Sequence, residues 1–355
     1  MNPTQDLPKI EQTQLDFLKK LSDASGVSGA EGSVREILRE VVTPLADDIS
    51  EDSIGNLIAH KKAATAGATK VLLASHMDEI GLMITGDDGD GLYQFEVVGG
   101  IDARQLAGKS VYVGKKRVPG VIGTRAIHLL SYEDMKQSIP VHNLRIDVGP
   151  KVKVDLGERA VFTTELWTNK ISIFGKALDD RLGVATLVEL LKNPPANIDL
   201  YCVFTTQEEV VLRGARIAAF NIHPDIAIAV DSTPANDYPS NTGENVRYNT
   251  SLGEGPAIYT MDRATLSDPR LISHFVRTAE KYSIPYQLRQ AGSGGTDAGA
   301  MHVQQGGIPA LSISVPGRNA HTAIGIARIA DWEHTLQLLH AGLRDFSKDV
   351  FKAER

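Results

Sequence analysis

Three short, nearly continuous apolar runs interrupt this chain, at 70–75, 200–205 and 226–230. Runs of this kind fill strands that are covered on both faces. Helical stretches at 181–192 and 213–220 lie between them. Strands alternating with helices predict an α/β fold, a mixed, mostly parallel sheet with helices on both faces. Two amphipathic helices open the chain. Leu15, Leu18 and Leu21 recur at helical spacing, Gly26, Gly29 and Gly32 end that helix, and a second covers 34–42. The same alternation resumes at Lys176 and continues through a helix at 269–281, a strand at 310–315 and a closing helix at 331–346.

Residues 82–167 read differently. Gly and Asp turn clusters at 86–91, short alternating segments at 93–97 and 110–113, and the lack of a long helical period predict an all-β insert. The expected organisation is therefore a discontinuous α/β domain, 1–81 and 168–355, interrupted by a β domain at 82–167. A length of 355 residues fits two domains of roughly 150 residues each.

Composition excludes several classes. With 42% hydrophobic and 23% charged residues the chain is not a disordered one. A net charge of −7 argues against a basic nucleic-acid binder. The single cysteine, Cys202, makes no internal disulfide and no Cys-rich zinc module, which points to a reducing compartment. The segment 1–12 carries Asp6 and Glu11 and lacks the basic start and apolar core of a secretory signal. No apolar run approaches the ~18 residues of a membrane span. The expected location is cytoplasmic, with neither membrane nor nucleic acid as partner.

Chemistry-bearing residues gather at the ends of the inferred strands. His76 arrives where the first run ends, the place where open parallel sheets bind ligands. Asp78 can fix its tautomer, and a purely local His–carboxylate pair is the plainer alternative. Asp179 and Asp180 precede a helix, where capping is the ordinary role of Asp. Glu208 and Glu209 follow the second run and need cations nearby, with Arg213 as one structural candidate. Asp231 closes the third run, and His321 lies in the loop after 310–315. Each is weak alone. Together, His76, Asp179, Glu209, Asp231 and His321 form the set two metals need: a shared carboxylate plus one His and one carboxylate apiece. Glu208 is left over as a general base beside a metal-activated water. The remaining histidines have no partner motif and are expected to be structural or superficial, with His302 nearest to the Gly-rich stretch at 292–295. That stretch lacks the Lys-Ser/Thr of a phosphate loop.

The motifs His76-Met77-Asp78-Glu79-Ile80-Gly81, Ala177-Leu178-Asp179-Asp180-Arg181, Gln207-Glu208-Glu209 and Gly294-Gly295-Thr296-Asp297-Ala298 occur in this order. They resemble the M42 metallo-aminopeptidases, a group that includes glutamyl aminopeptidases and self-compartmentalising tetrahedral enzymes. Within the insert, Gly120-Val121-Ile122-Gly123 and residues 144–149 extend the resemblance. By that resemblance His76, Asp179 and Asp231 hold one metal and Asp179, Glu209 and His321 the other. Asp179 bridges, the Asp179–Asp180 peptide is cis, Glu208 is the general base and Asp78 supports His76. Asp180, Thr296 and Asp297 are implied to lie close behind or beside the substrate. Zinc or cobalt suits the donors, and manganese is an alternative. The implied activity is removal of amino-terminal residues from peptides, with the β insert mediating dimers that build a tetrahedral dodecamer. The chain departs from the family at Val211, where Gly is usual, at Asn319 and Ala320, and at Ile324 and Gly325, where a Glu is frequent. Two rival readings are a deacylase of the same metal chemistry and a scaffold that has lost its metals. The second predicts a broken ligand set, whereas all six candidates are intact.

Overall fold

The computed structural model describes residues 7–133, 136–239, 250–292 and 294–354. The start of the amino-terminal segment and residue 293 of the Gly-rich stretch lie outside them. The two opening helices run Gln12–Asp23 and Gly32–Val42. The three apolar runs become the strands Thr69–His76, Ile198–Thr205 and Ile226–Pro234. With Ala310–Arg318 they form the parallel centre of a large mixed sheet. In spatial order the four run Ile198–Thr205, Thr69–His76, Ile226–Pro234, Ala310–Arg318. Antiparallel strands extend both sides: Leu57–Lys61 and Asp48–Glu51 on one, Gly325–Arg328, Ser172–Gly175 and Trp167–Thr168 on the other. These short flanking strands were not anticipated from the sequence.

The double covering is visible residue by residue. Val71 and Leu73 join Ile228, Val230, Leu311 and Ile313 in a core with the helices Leu178–Lys192 and Ile329–Arg344. Leu72 and Ala74 point the other way and pack with Ala227, Ala229 and the helix Arg213–Ile222. A strand buried on both faces cannot show polar alternation, which is why the runs read as continuous. Local signals fix the helix ends. The Asp268 side chain accepts from the Arg270 amide at the start of Pro269–Tyr282, with Pro in the first turn.

Residues 81–162 hold a second sheet. The strands Gly81–Gly89, Leu92–Val98, Arg145–Asp147, Val118–Gly123, Ser110–Val113 and Arg159–Phe162 close a barrel in that order, all antiparallel. The barrel has its own core, including Leu82, Tyr93, Phe95, Val111, Ile122 and Ile146. Its last strand ends at Phe162, and Trp167, placed in the insert by the sequence reading, pairs with Phe174 in the large sheet.

Where barrel and sheet meet, three charged side chains are buried together. Both Glu79 carboxylate oxygens accept from Lys176 Nζ at 2.8 Å, and Arg181 Nη2 lies 3.6 Å away. Glu79 and Lys176 are each 2% exposed, and Arg181 is fully buried. Burial pulls the Lys176 ammonium pKa down, against the attraction of Glu79. Removing one member of such a group strands the others in low dielectric. Glu79→Gln is therefore expected to lower unfolding stability by about 3–5 kcal/mol, read by urea denaturation of the metal-free protein. A loss below about 1 kcal/mol would contradict this account.

Candidate metal centre

The parallel register brings the site residues together. His76 is opposite Thr205, Met77 N donates to Thr205 O at 2.7 Å, and Asp231 is opposite Ser314. Glu208 and Glu209 therefore leave their strand beside His76. Asp179 comes from the first turn of Leu178–Lys192, and His321 from the loop beyond Ala310–Arg318. The Asp179–Asp180 peptide is cis, as the resemblance implies. Ala177, Gln207, Val211, Leu212, Asn319 and His321 all adopt positive φ. Non-glycine residues enter that region at a cost of about 1–2 kcal/mol each, and here they crowd around one site. Val211 sits at φ 74° and is 73% exposed. It is a β-branched residue in a backbone state made for glycine.

The donor atoms fall into two groups, His76 with Glu208 and Asp231, and Asp179 with Glu209 and His321; within each group they lie within 4.8 Å of one another. Asp179 faces both. Its Oδ1 is 3.1 Å from His76 Nε2 and its Oδ2 is 3.6 Å from His321 Nε2. His76 Nε2 is 3.8 Å from Asp231 Oδ1 and 4.0 Å from Glu208 Oε2, and His321 Nε2 is 3.7 Å from Glu209 Oε1. All six side chains lie in one cluster, and Glu208, not Asp179, is the residue grouped with His76 and Asp231.

The surrounding residues sort themselves by what they grip. The Asp78 carboxylate accepts from the amides of Glu208 and Glu209 at 3.0 and 3.2 Å and from the Ser28 hydroxyl at 2.6 Å. Its main-chain carbonyl lies 3.1 Å from His76 Nδ1, closer than its carboxylate at 3.6 Å. Asp78 therefore meets His76 through its main-chain carbonyl as well as through its nearby carboxylate. Asp180 does the capping: it accepts from Gly183 N at 3.0 Å, from His76 N at 3.3 Å and from the Ser75 hydroxyl. A Cβ on Gly183 would meet Asp180 Oδ1 at 2.5 Å and Val230 O at 2.6 Å, so only glycine lets this turn close. Arg213 bonds Gln207 Oε1 at 3.2 Å rather than either glutamate. Thr296 and Asp297 are each 2% exposed and stand behind the cleft wall. Thr296 caps a short helix, and Asp297 accepts from the Thr205 hydroxyl at 2.5 Å. His302 turns back to the Ala298 carbonyl.

A cleft of about 860 Å³ opens onto both groups. Gly100, Val211, Tyr259, Arg263 and Arg289 also line it, and the sequence reading missed all of these as site residues except Val211. The adjacent glycines at 99 and 100 were the one sequence signal that marks a close backbone approach.

Burial and mutual repulsion dominate the electrostatics. Burial, aided by Asp231, Asp297 and Glu209, pushes the Glu208 pKa well up. Burial with Asp180 and Asp179 does the same to Asp231. Burial lifts Glu209 to about 7 against the pull of His321. Burial also works against Asp179, yet the His76 hydrogen bond and charge hold it at about 2. Both imidazole pKa values rise, because the carboxylates around them outweigh burial. Four carboxylates forced together beside two imidazoles are the donor set of a divalent first-row cation, and the residues fit one.

The α/β sheet gathers at its strand ends imidazoles and carboxylates that could hold divalent metal. The chain belongs to the M42 glutamyl aminopeptidase family, whose profile matches residues 55–338. It is 31% identical to the lysyl aminopeptidase of Pyrococcus furiosus, covering 93% of this chain and 96% of that protein. With the glutamyl aminopeptidase of Lactococcus lactis it shares 30% identity over 92% of this chain and 94% of the relative. The structure of Pyrococcus horikoshii TET1 peptidase, described as assembling into a tetrahedron or a large octahedral shell, superposes with a TM-score of 0.82 at 33% identity. The match covers 94% of this chain and all (100%) of that one. The chain is a peptide-bond hydrolase of the aminopeptidase class, and M42 peptidases are metal-dependent.

Without metal, folded protein retains protons on Glu209, His76 and His321 that the unfolded chain releases at lower pH. For Glu209, stability is present below its ordinary 4.5 and is lost as pH rises through about 7. Asp179 acts in the opposite sense, only below its ordinary 3.8. Calorimetry of metal-free protein should show Tm falling from pH 5 to pH 8, and added divalent metal should raise Tm more at pH 8. A metal-free Tm that is flat or rising over that range would contradict the site electrostatics.

Proposed function

We propose that this chain is a binuclear metal-dependent aminopeptidase in which His76, Asp179 and Asp231 hold one ion and Asp179, Glu209 and His321 the other. The observation carrying this reading is the placement of Asp179, with one oxygen toward each histidine. The donors suit zinc or cobalt, with manganese as the alternative. Bound divalent ions supply Lewis acidity, which polarises a scissile carbonyl and eases deprotonation of water.

The chain's own residues do the rest. Glu208 is buried among other carboxylates and so binds a proton readily, the property of a group that takes one from attacking water and returns it to the leaving amine. Asp78 fixes the two glutamates through their amides and His76 through its carbonyl. The cleft holds the peptide against this centre. The large sheet and its helices make up the catalytic domain, and the barrel of 81–162 is the dimerisation domain. Exposed Val121, Leu129, Tyr132 and Leu156 in that segment support a role in association. The relative's shell-forming behaviour supports a homo-oligomer built toward a tetrahedral dodecamer. Cys202, free and buried, accords with a cytoplasmic site of action. Among the described residues no helix is long and apolar enough to cross a membrane.

Metal-loaded protein is expected to release p-nitroaniline from amino-acid p-nitroanilides. Failure on every free-amine substrate, with cleavage of N-acyl amino acids, would favour the deacylase. Glu208→Gln should lower kcat by roughly 10²–10⁴-fold with metal content retained, because a base touches water rather than the ion. Loss of metal from that variant would make Glu208 a ligand, as its 4.0 Å approach to His76 permits. Asp179→Asn should weaken uptake of both ions together, and selective loss of one would remove the bridge.

A further inference from the structure

The two histidines are oriented by the same device from different sources. His76 Nδ1 faces the carbonyl of Asp78, two residues along its own chain, and its side chain is 3% exposed. His321 Nδ1 faces the carbonyl of Gly100 at 2.8 Å, a residue 221 positions away, and its side chain is 42% exposed. Gly100 follows the barrel strand Leu92–Val98. Its neighbour Gly99, at φ 85°, presses on the same donor group: a Cβ there would stand 3.2 Å from Glu209 Oε2 and 2.8 Å from Ile80 Cγ2. A Cβ on Gly100 would stand 3.0 Å from His321 Nδ1. Among the described residues the Gly100 carbonyl is the hydrogen-bond partner of the His321 ring, whose Nε2 lies 3.6 Å from Asp179 Oδ2 and 3.7 Å from Glu209 Oε1. Asn319 and His321 both sit at positive φ, and the bonds within the loop go to the Asn319 side chain and to the main chain around Thr322.

We infer that the barrel completes one of the two metal groups, with Gly100 as a positioning residue whose carbonyl orients His321. The hydrogen bond places the proton on Nδ1 and leaves the Nε2 lone pair toward Asp179 and Glu209, the arrangement a metal-bound histidine requires. The other group is built wholly from the α/β domain and does not depend on the barrel. This rests on the two-group reading of the site given above. It adds that the ion held by Asp179, Glu209 and His321 depends on the fit between barrel and sheet, whereas the ion held by His76 does not.

The test is calorimetric titration of metal-free full-length protein with zinc chloride. Wild type should take up two ions. Gly100→Ala should bind one with the wild-type constant and the other about 10–100-fold more weakly, the usual effect of losing an outer partner of a metal-bound histidine. His321→Ala should weaken the same step. Gly123→Ala, a barrel change whose Cβ meets nothing closer than 3.8 Å, should change neither. The metal-free Tm of Gly100→Ala should match wild type. If Gly100→Ala binds both ions normally, or loses both equally while His321→Ala loses one, the positioning role is wrong and the metal reading stands. If wild type binds fewer than two ions, the metal reading itself fails and this inference with it. A second measurement needs no variant: nitrogen-15 spectra of zinc-loaded wild type should show His321 with its proton on Nδ1. A proton on Nε2 would overturn the inference.

Discussion

The site depends on a carboxylate that is not expected to touch the ions. Asp78 is fully buried, and burial alone would raise its pKa. The nearby His76 imidazole, the Ser28 hydroxyl and the amide of Glu208 reverse that and hold it below the ordinary value. An ionised carboxylate taking two amides and a hydroxyl is among the stronger arrangements available inside a protein. It locks Glu208, Glu209 and His76 in one frame. Two strands from distant parts of the chain thus end as one rigid surface, and the strained backbone at Gln207, Val211 and Leu212 is held where it does not relax.

Beneath that frame lies the Glu79, Lys176 and Arg181 cluster. Glu79 also accepts from Gly26 N at 3.0 Å, and Lys176 donates to Ala24 O at 2.9 Å. Arg181 donates to Leu21 O at 3.1 Å. These bonds run to the end of the first helix and the turn after it, so the amino-terminal segment is tied under the centre. Cationic groups below and acidic donors above divide the charge. The donors keep the negative potential that attracts divalent ions, and the fold keeps its buried carboxylates compensated.

The large sheet was legible because doubly covered strands are locally apolar, and Val71 to Ala74 announce themselves without any partner. His76, Glu208, Glu209, Asp231 and His321 were legible because each follows such a run, and Asp179 because it stands at the start of a helix. Strands such as Trp167–Thr168 and Gly325–Arg328 were not, since two to four residues carry no period and pair only once the sheet exists. The closure of the barrel, the backbone role of Asp78 and the reach of Gly100 to His321 are likewise contacts between distant segments. Nothing local encodes them. The Asp179 and Asp180 pair shows the limit most sharply. Capping and metal binding were two readings of the same dipeptide; Asp180 caps, and Asp179 turns toward the histidines.

The most direct test of the account is anomalous diffraction at the zinc edge from crystals of zinc-loaded protein. Two peaks per chain are predicted, one among His76, Asp179 and Asp231 and one among Asp179, Glu209 and His321, with Asp179 touching both. A single peak, or peaks away from Asp179, would contradict it.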